Sequence, residues 1–346
     1  MAIAHQKPVG LYAPIMSLTQ HSAGICSCKT GYAPDSVGKS CVISACPANM
    51  SGSPCACKAG YVPNSSGSCD AEVLTITLSG GSTTEPWHKK WDQDHTNSNS
   101  NLPFNAVVTD QNGQPQAGVN VYISSDATPG SGGHDHDNNR PKGKLVSNTP
   151  GEGLSSGTAS ISGQTDSGGQ FSFTFGAEEA SGEHTLTATC EYNGTACSNT
   201  ATTNISVEIP GLMLLDADPK SYDLEGSTDS HHGNHYFSPE AMVLIINLAH
   251  AYLHDPDFKR LLIINDSSLI KGGVFDVGQD WTYKSNGHQG HRKGIVVDIN
   301  NYREGPDPDF EQFAIDHDVE TIWEGPTPKH PNTLPHYHIQ LLGRDE

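Results

Sequence analysis

The sequence predicts a multidomain chain: small disulfide-rich repeats, then an all-β sandwich, then a C-terminal α+β unit built on an antiparallel sheet. Three observations predict it. Seven of the nine cysteines fall before residue 70. Short β-branched runs separated by Gly- and Asn-containing turns fill residues 72–208. Beyond residue 212 a single long helical pattern stands among short apolar runs. With 346 residues the chain has room for two or three domains. An apolar content of 34%, beside 36 glycines and 22 prolines, suits short strands and loops better than a large helical core.

Residues 1–24 read as an unstructured or truncated leader, because MAIAHQKPVGLYAPIMSL lacks an apolar signal-peptide core. Residues 25–70 hold two copies of one unit, CSCKTGYAPDSVGKSC (26–41) and CACKAGYVPNSSGSC (55–69). The second copy has an extra upstream cysteine, Cys46, and the first has none. The odd count fits the tail of a longer array that also carried a secretion signal. The units resemble EGF-like extracellular modules. Under that reading the pairs are Cys28–Cys41, Cys57–Cys69 and Cys46–Cys55, with Cys26 left without a mate. A zinc-binding reading of the Cys-x-Cys pairs is the weaker alternative, since Gly/Ser/Pro-rich spacing favours staples in a region too small for a core.

Residues 72–208 contain VLTITLS, FNAVVTD, VNVYISS, TASIS, FSFTFG, EHTLTATC and TNISVEI, divided by turn clusters such as DQNGQ and DSGGQ. Seven short strands at this spacing predict an Ig-like sandwich, and the segments resemble bacterial Ig-like domains of surface proteins. Cys190 and Cys197 flank EYNGTA and read as a disulfide across a tight turn. Two inserts interrupt the strands, 81–101 and 127–153. In the second, HDHD (134–137) offers cation ligands, but a solvated flexible loop is the better reading. Trp87 and Trp91 in the first are assigned either to a glycan contact or to packing on the sandwich edge.

The C-terminal unit spans 212–346. Ser238-Pro239-Glu240 supplies an N-cap, a proline at N1 and an acid in the first turn, so a helix should run to about His254 and stop at Asp255-Pro256. Its core positions are Met242, Leu244, Ile245, Leu248, Ala249 and Tyr252, while His250 and His254 face solvent. RLLIIND (260–266), IVVDI (295–299) and HYHIQLL (336–342) read as strands. His231, His232 and His235 precede the helix, with His235 near a cleft. Trp281 fits either a cleft wall or the core.

Eleven of the 18 histidines follow residue 230. GHQGHRKGIVVDI gives His291-x6-Asp298, and LPHYHIQLL gives His336-x-His338. Residues two apart on a strand share a face, so His336 and His338 project together and Tyr337 points away. If the two strands are neighbours, His291, Asp298 and His338 meet. Two histidines and a carboxylate are a familiar ligand set for catalytic Zn2+, with one position left open. His336 then remains as the base for an attacking water. The alternative is a set of scattered surface histidines.

The segments IINDSSLIKGGVFDV (263–277), GHQGHRKGIVVDI (287–299) and HYHIQL (336–341) resemble, in that order, the motifs of penicillin-insensitive murein endopeptidase. That family is related to lysostaphin, D-alanyl-D-alanine dipeptidases and the Hedgehog signalling domain. The resemblance covers about residues 212–346. It implies metal ligands at His291, Asp298 and His338 and a catalytic histidine at His336. It places His288 beside the metal or the substrate, and Asp266 and Ser268 on the border of the cleft. The chain departs from the family's pattern where the serine before the ligand histidine is Gly290, and where an acidic neighbour of Asp298 is replaced by Val296.

Together these readings predict a secreted or surface-attached zinc metallopeptidase acting on peptidoglycan cross-links or another extracellular peptide polymer. The rival is a non-catalytic zinc-containing adhesion module or a filament component. A net charge of −20 disfavours nucleic acid and anionic membrane surfaces as partners. No run approaches the roughly 18 apolar residues that span a bilayer.

Overall fold

The computed structural model describes residues 46–343 except 47, 53–54, 59, 65, 90–91, 149–152, 277–278, 280, 282–288, 301–304 and 327–333, together with short strand segments within 19–43. The chain divides into two compact units. One is Met1–Val73 with Asn193–Thr195, and the other is Leu74–Tyr192 with Ala196–Glu346.

In the first unit the described part is a set of two-stranded ribbons. Met50–Ser51 pairs with Ala56–Cys57, and Tyr61–Pro63 pairs with Cys69–Ala71, both antiparallel. Among its described residues only Cys69 is a buried apolar side chain, so disulfides stand in for a core. Cys46–Cys55 and Cys57–Cys69 are bonded as expected, with Cα separations of 5.5 and 5.6 Å. The Cys28–Cys41 pairing and the side chain of Cys26 lie outside the described residues.

The second unit opens with the strands β1 (Thr75–Gly80), β2 (Thr83–Thr84), β3 (Asn101–Thr109), β4 (Asn120–Ala127), β5 (Lys144–Ser147), β6 (Ser160–Gln164), β7 (Gln170–Gly176), β8 (Gly182–Tyr192) and β9 (Ala201–Val207). They form two sheets, in the orders β2-β9-β8-β4-β6 and β5-β7-β3-β1. Strict alternation sends Phe104, Ala106, Val108, Val121, Ile123, Phe171, Phe173, Phe175, Leu186, Ala188 and Ile205 into one core between them. The predicted turns form as Asx turns. Asp110 Oδ1 accepts from Asn112 N and Gln114 N, and Asp166 Oδ1 accepts from Gly168 N and Gln170 N. Cys190 and Cys197 are bonded, their Cα atoms 5.3 Å apart, and Cys197 N donates to Cys190 O.

The insert 127–153 differs from expectation. It contains β5, whose Leu145 and Val146 are buried against β7. The run is only four residues long and sits between glycine- and proline-rich stretches, which hid it. Trp87 packs rather than facing a glycan. It is buried, stacks on His95 with ring centroids 4.4 Å apart and lies under the Lys144 ammonium. Trp91 lies outside the described residues.

The remainder carries β10 (Tyr222–Leu224), α1 (Pro239–His254), β11 (Leu262–Ile264), β12 (Val296–Asn300), α2 (Pro308–Asp316), β13 (Glu320–Glu324) and β14 (His336–Gln340). The sheet order is β10-β11-β12-β14-β13. It is mixed rather than antiparallel throughout. β10 pairs with β11 in parallel, because α1 lies in the connection between them and returns the chain in the same direction. The helix forms where its caps predict: Ser238 Oγ accepts from Ala241 N, and Asp255 closes the C-terminus. Its buried face is Ala241, Met242, Ile245, Leu248, Ala249 and Tyr252. Leu244 is exposed instead of buried, since Ala241 takes the next place along the inward stripe. His250 and His254 face solvent as expected. Val297, Ile299, Tyr337 and Ile339 share the helical core on one side of the sheet.

The sandwich and the C-terminal sheet fall within the same compact unit. Arg292 donates to Glu179 Oε1 at 3.2 Å and to Trp87 O, all of them buried. Ser181 Oγ donates to Gly272 O at 2.6 Å, and Lys271 pairs with Glu183 and Glu208 at 2.7 and 2.6 Å. Among the described residues no helix is long and apolar enough to cross a membrane.

Candidate metal centre

β12 and β14 are direct neighbours, and their register sets Asp298 opposite His338 and Asn300 opposite His336. β13 continues the row, with Ile322 opposite His338 and Glu324 opposite His336. Residues opposite each other across an antiparallel pair share a face. Asp298, His338, His336 and Glu324 therefore project from the side of the sheet away from the helices. Tyr337 points the other way, as expected, and meets Phe310 in the core with ring centroids 4.7 Å apart.

His291 reaches the same patch from a 3-10 turn, Gln289–Lys293, that leads into β12. Its Nε2 is 3.3 Å from Asp298 Oδ1, and His338 Nδ1 is 3.0 Å from the same oxygen. The three ligand atoms lie within 4.8 Å of one another, a group able to hold a metal ion. His291 Nδ1 donates to Ser267 O at 3.0 Å, which turns the lone pair of Nε2 toward the Asp298 carboxylate. A lone pair facing a carboxylate oxygen needs a proton or a cation between them. Such an orienting bond to a backbone carbonyl is the usual support of a metal-bound imidazole. His291 and Asp298 are 0% and 1% exposed, whereas His338 and His336 side chains are 19% and 13% exposed. The residues fit a divalent cation whose open side is marked by His336 and His338, and nothing in the donor set singles out one element.

His336 Nε2 lies 3.5 Å from Asp298 Oδ2 and 3.6 Å from Glu324 Oε2, and its Nδ1 donates to Leu334 O at 2.7 Å. Burial works against a charged ring here. The Glu324 hydrogen bond and the Asp298 charge prevail and lift its pKa to about 9. Glu324 was not foreseen. The alternation of ETIWE would have pointed to it only once the register of β13 on β14 was known.

Asp266 follows β11 and sits beside the group, its carbonyl accepting from Asp298 N at 2.7 Å and its carboxylate accepting from Asn234 Nδ2. Burial raises its pKa to about 6, His291 pulls it down, and the nearby Asp298 charge adds to the rise. Ser268 does not border an open cleft. It is fully buried, tied down by the backbone hydrogen bonds it exchanges with Tyr236. His288 lies outside the described residues. His235 is buried, and burial lowers its pKa.

A second group was missed. His134, His136, His231 and Asp276 are all buried and offer ligand atoms within 4.8 Å of one another. HDHD is thus not a solvated loop. Gly132 and Gly133 have φ of 75° and 88° and fold the connection inward. A Cβ on Gly132 would meet Ser181 O at 2.5 Å, so only glycine permits the approach. The His-x-His spacing was the available signal. Trp281 is neither a cleft wall of the first group nor core: its ring lies 4.7 and 4.8 Å from those of His134 and His136.

Fold and site together define a β-rich, disulfide-bearing chain with buried histidine–carboxylate groups suited to metal ions. No family model matches the chain, and no curated protein matches it. Among solved structures it is similar to a conjugative transposon lipoprotein from Bacteroides eggerthii, at 9% identity and a TM-score of 0.21 over 38% of this chain and 95% of that one. It is also similar to the Escherichia coli adhesin FdeC, at 13% identity and 0.22 over 48% and 44%. A third is a structure of the AAF fimbriae of enteroaggregative Escherichia coli, at 16% identity and 0.20 over 39% and 98%. Likeness at this level leaves the function to be argued from the chain's own residues.

Proposed function

We propose that this chain is a metal-dependent extracellular hydrolase whose C-terminal sheet cuts peptide bonds, with murein cross-links as the leading substrate. The observation that carries it is the meeting of His291, Asp298 and His338, 40 or more residues apart at the extremes, with His336 beside them on the open side. The order of motifs that resembles murein endopeptidases supports the substrate class. Bound zinc would polarise a carbonyl and bring the pKa of water down to roughly 7, and its charge would offset that of Asp298 at His336. The chain's own part is positional. Asp298 and His291, held by Ser267 O, form the buried side of the site. His336 passes a proton at Nε2, with Glu324 keeping the ring aligned. In the overall reaction the water oxygen bonds to the carbonyl carbon, the C–N bond breaks and the leaving amine takes a proton.

A second reading is a non-catalytic surface module in which the ion only shapes the sheet. The depth of His291 and Asp298 favours it, and the disulfides and the sandwich suit adhesion as well as they suit a hydrolase. One experiment separates the two. Full-length chain loaded with zinc is incubated with murein sacculi, with and without a chelator, and soluble muropeptides are analysed. Hydrolysis predicts chelator-sensitive release that His336→Ala reduces by about 10²–10⁴-fold while retaining its zinc. Zinc retention with no release from the parent chain would establish the surface module instead.

A further inference from the structure

We propose that His134, His136, His231 and Asp276 form a second metal site, structural in kind, that clamps the sandwich to the C-terminal sheet. The donors converge on one carboxylate. His134 Nδ1 lies 2.9 Å and His231 Nε2 3.1 Å from Asp276 Oδ1, and His136 Nε2 lies 3.0 Å from Oδ2. The side chains are 0, 5, 3 and 0% exposed, in the order His134, His136, His231, Asp276. Donors around a tetrahedral zinc at about 2.0 Å are separated by roughly 3.3 Å, close to these spacings.

Hydrogen bonding alone does not account for the group. His134 Nδ1 and His231 Nε2 lie within hydrogen-bond distance of Asp276 Oδ1, which answers two ring nitrogens and leaves the others. The approach of His136 Nε2 to Asp276 Oδ2 is short but off-line, and neither atom has a hydrogen-bond partner among the described residues. His134 Nε2 and His136 Nδ1 are likewise buried without one. A polar cluster held only by protons leaves each such atom desolvated and unanswered. The three rings do not stack. Their pairwise angles are 90°, 76° and 84°, with centroids 5.2–5.8 Å apart, so their edges rather than their faces approach one another.

The loop that delivers two of the ligands is firmly built. Arg140 Nη2 donates to Ser131 O and Ser181 O, both at 2.8 Å, and Asp135 N donates to Ser230 O at 2.8 Å. Trp281 lies against His134 and His136 and donates through Nε1 to Asn138 O at 2.7 Å. Four protein ligands with no open side mark a structural zinc site, whereas the first group keeps three ligands and an accessible face. His134 and His136 follow β4, while His231 and Asp276 flank α1 and β11 in sequence. An ion here joins two parts of the unit that are far apart in the chain.

The test is a metal count on the full chain after chelation, reloading with Zn2+ and removal of excess. The expected result is two zinc ions per chain. His338→Ala and Asp276→Asn should each retain one, and the double variant none. Cobalt-loaded His338→Ala should show the intense visible bands of four-coordinate Co2+. One zinc in the parent chain, lost in His338→Ala, would overturn the proposal, as would two zincs in Asp276→Asn. Asp276→Asn is nearly isosteric, and the zinc retained or lost by His338→Ala decides the matter even if Asp276→Asn folds poorly.

Discussion

At the scale of single residues, two side chains show how little room the site and the core leave. A Cβ on Gly290 would lie 3.2 Å from His338 Nε2 and 3.3 Å from Cε1. Gly290→Ala should therefore push the ring off Asp298 and lower metal affinity at that site by about 10-fold, as read by competition with a coloured chelator. Unchanged affinity would mean that the ring yields freely. His184 is the second case. It occupies an inward position on β8 beside Phe175, and burial lowers its pKa from 6.5 to about 4. Below pH 6.5 the unfolded chain takes up this proton and the folded chain does not, so stability is intact above 6.5 and falls as the pH drops toward 4. The loss from this residue is on the order of 3 kcal/mol. Urea titrations across that window should show a steeper decline for the parent than for His184→Gln, and equal slopes would count against a neutral buried ring. The strand EHTLTATC was legible in the sequence, whereas the burial of His184 and its consequence for titration needed the second sheet on top of it.

At the scale of elements, much was legible because short-range rules governed it. The α1 caps, the Asx turns after Asp110 and Asp166 and the outward pairing of His336 with His338 follow from local chemistry. So does the Cys190–Cys197 bridge across its turn. What was not legible depended on partners. β5 is four residues long and earns its place only by pairing with β7. Glu324 gains meaning only opposite His336. The parallel pairing of β10 with β11 follows from the path of the connection, which no local pattern encodes. His134 and His136 looked like a polar loop because their burial comes from residues about 95 and 140 positions further along, a separation sequence spacing does not weigh.

At the scale of the molecule, the sandwich and the C-terminal sheet are held by buried polar contacts as well as by the second histidine group. The Arg292–Glu179 pair is central, with side chains 6% and 9% exposed and Arg292 also bonded to Trp87 O. Glu179→Ala removes the carboxylate from a buried guanidinium and should reduce stability by about 3–5 kcal/mol in chemical denaturation. A loss under about 1 kcal/mol would show that the surroundings rehydrate the group instead. The family resemblance begins near residue 212, yet the compact body begins at Leu74. Excising the last third for a minimal assay would sever Arg292 from Glu179 and strand His231 and Asp276 without half their companions. The shortest expression fragment worth making starts at the first strand of the sandwich, and an inactive shorter one would say nothing about the chemistry.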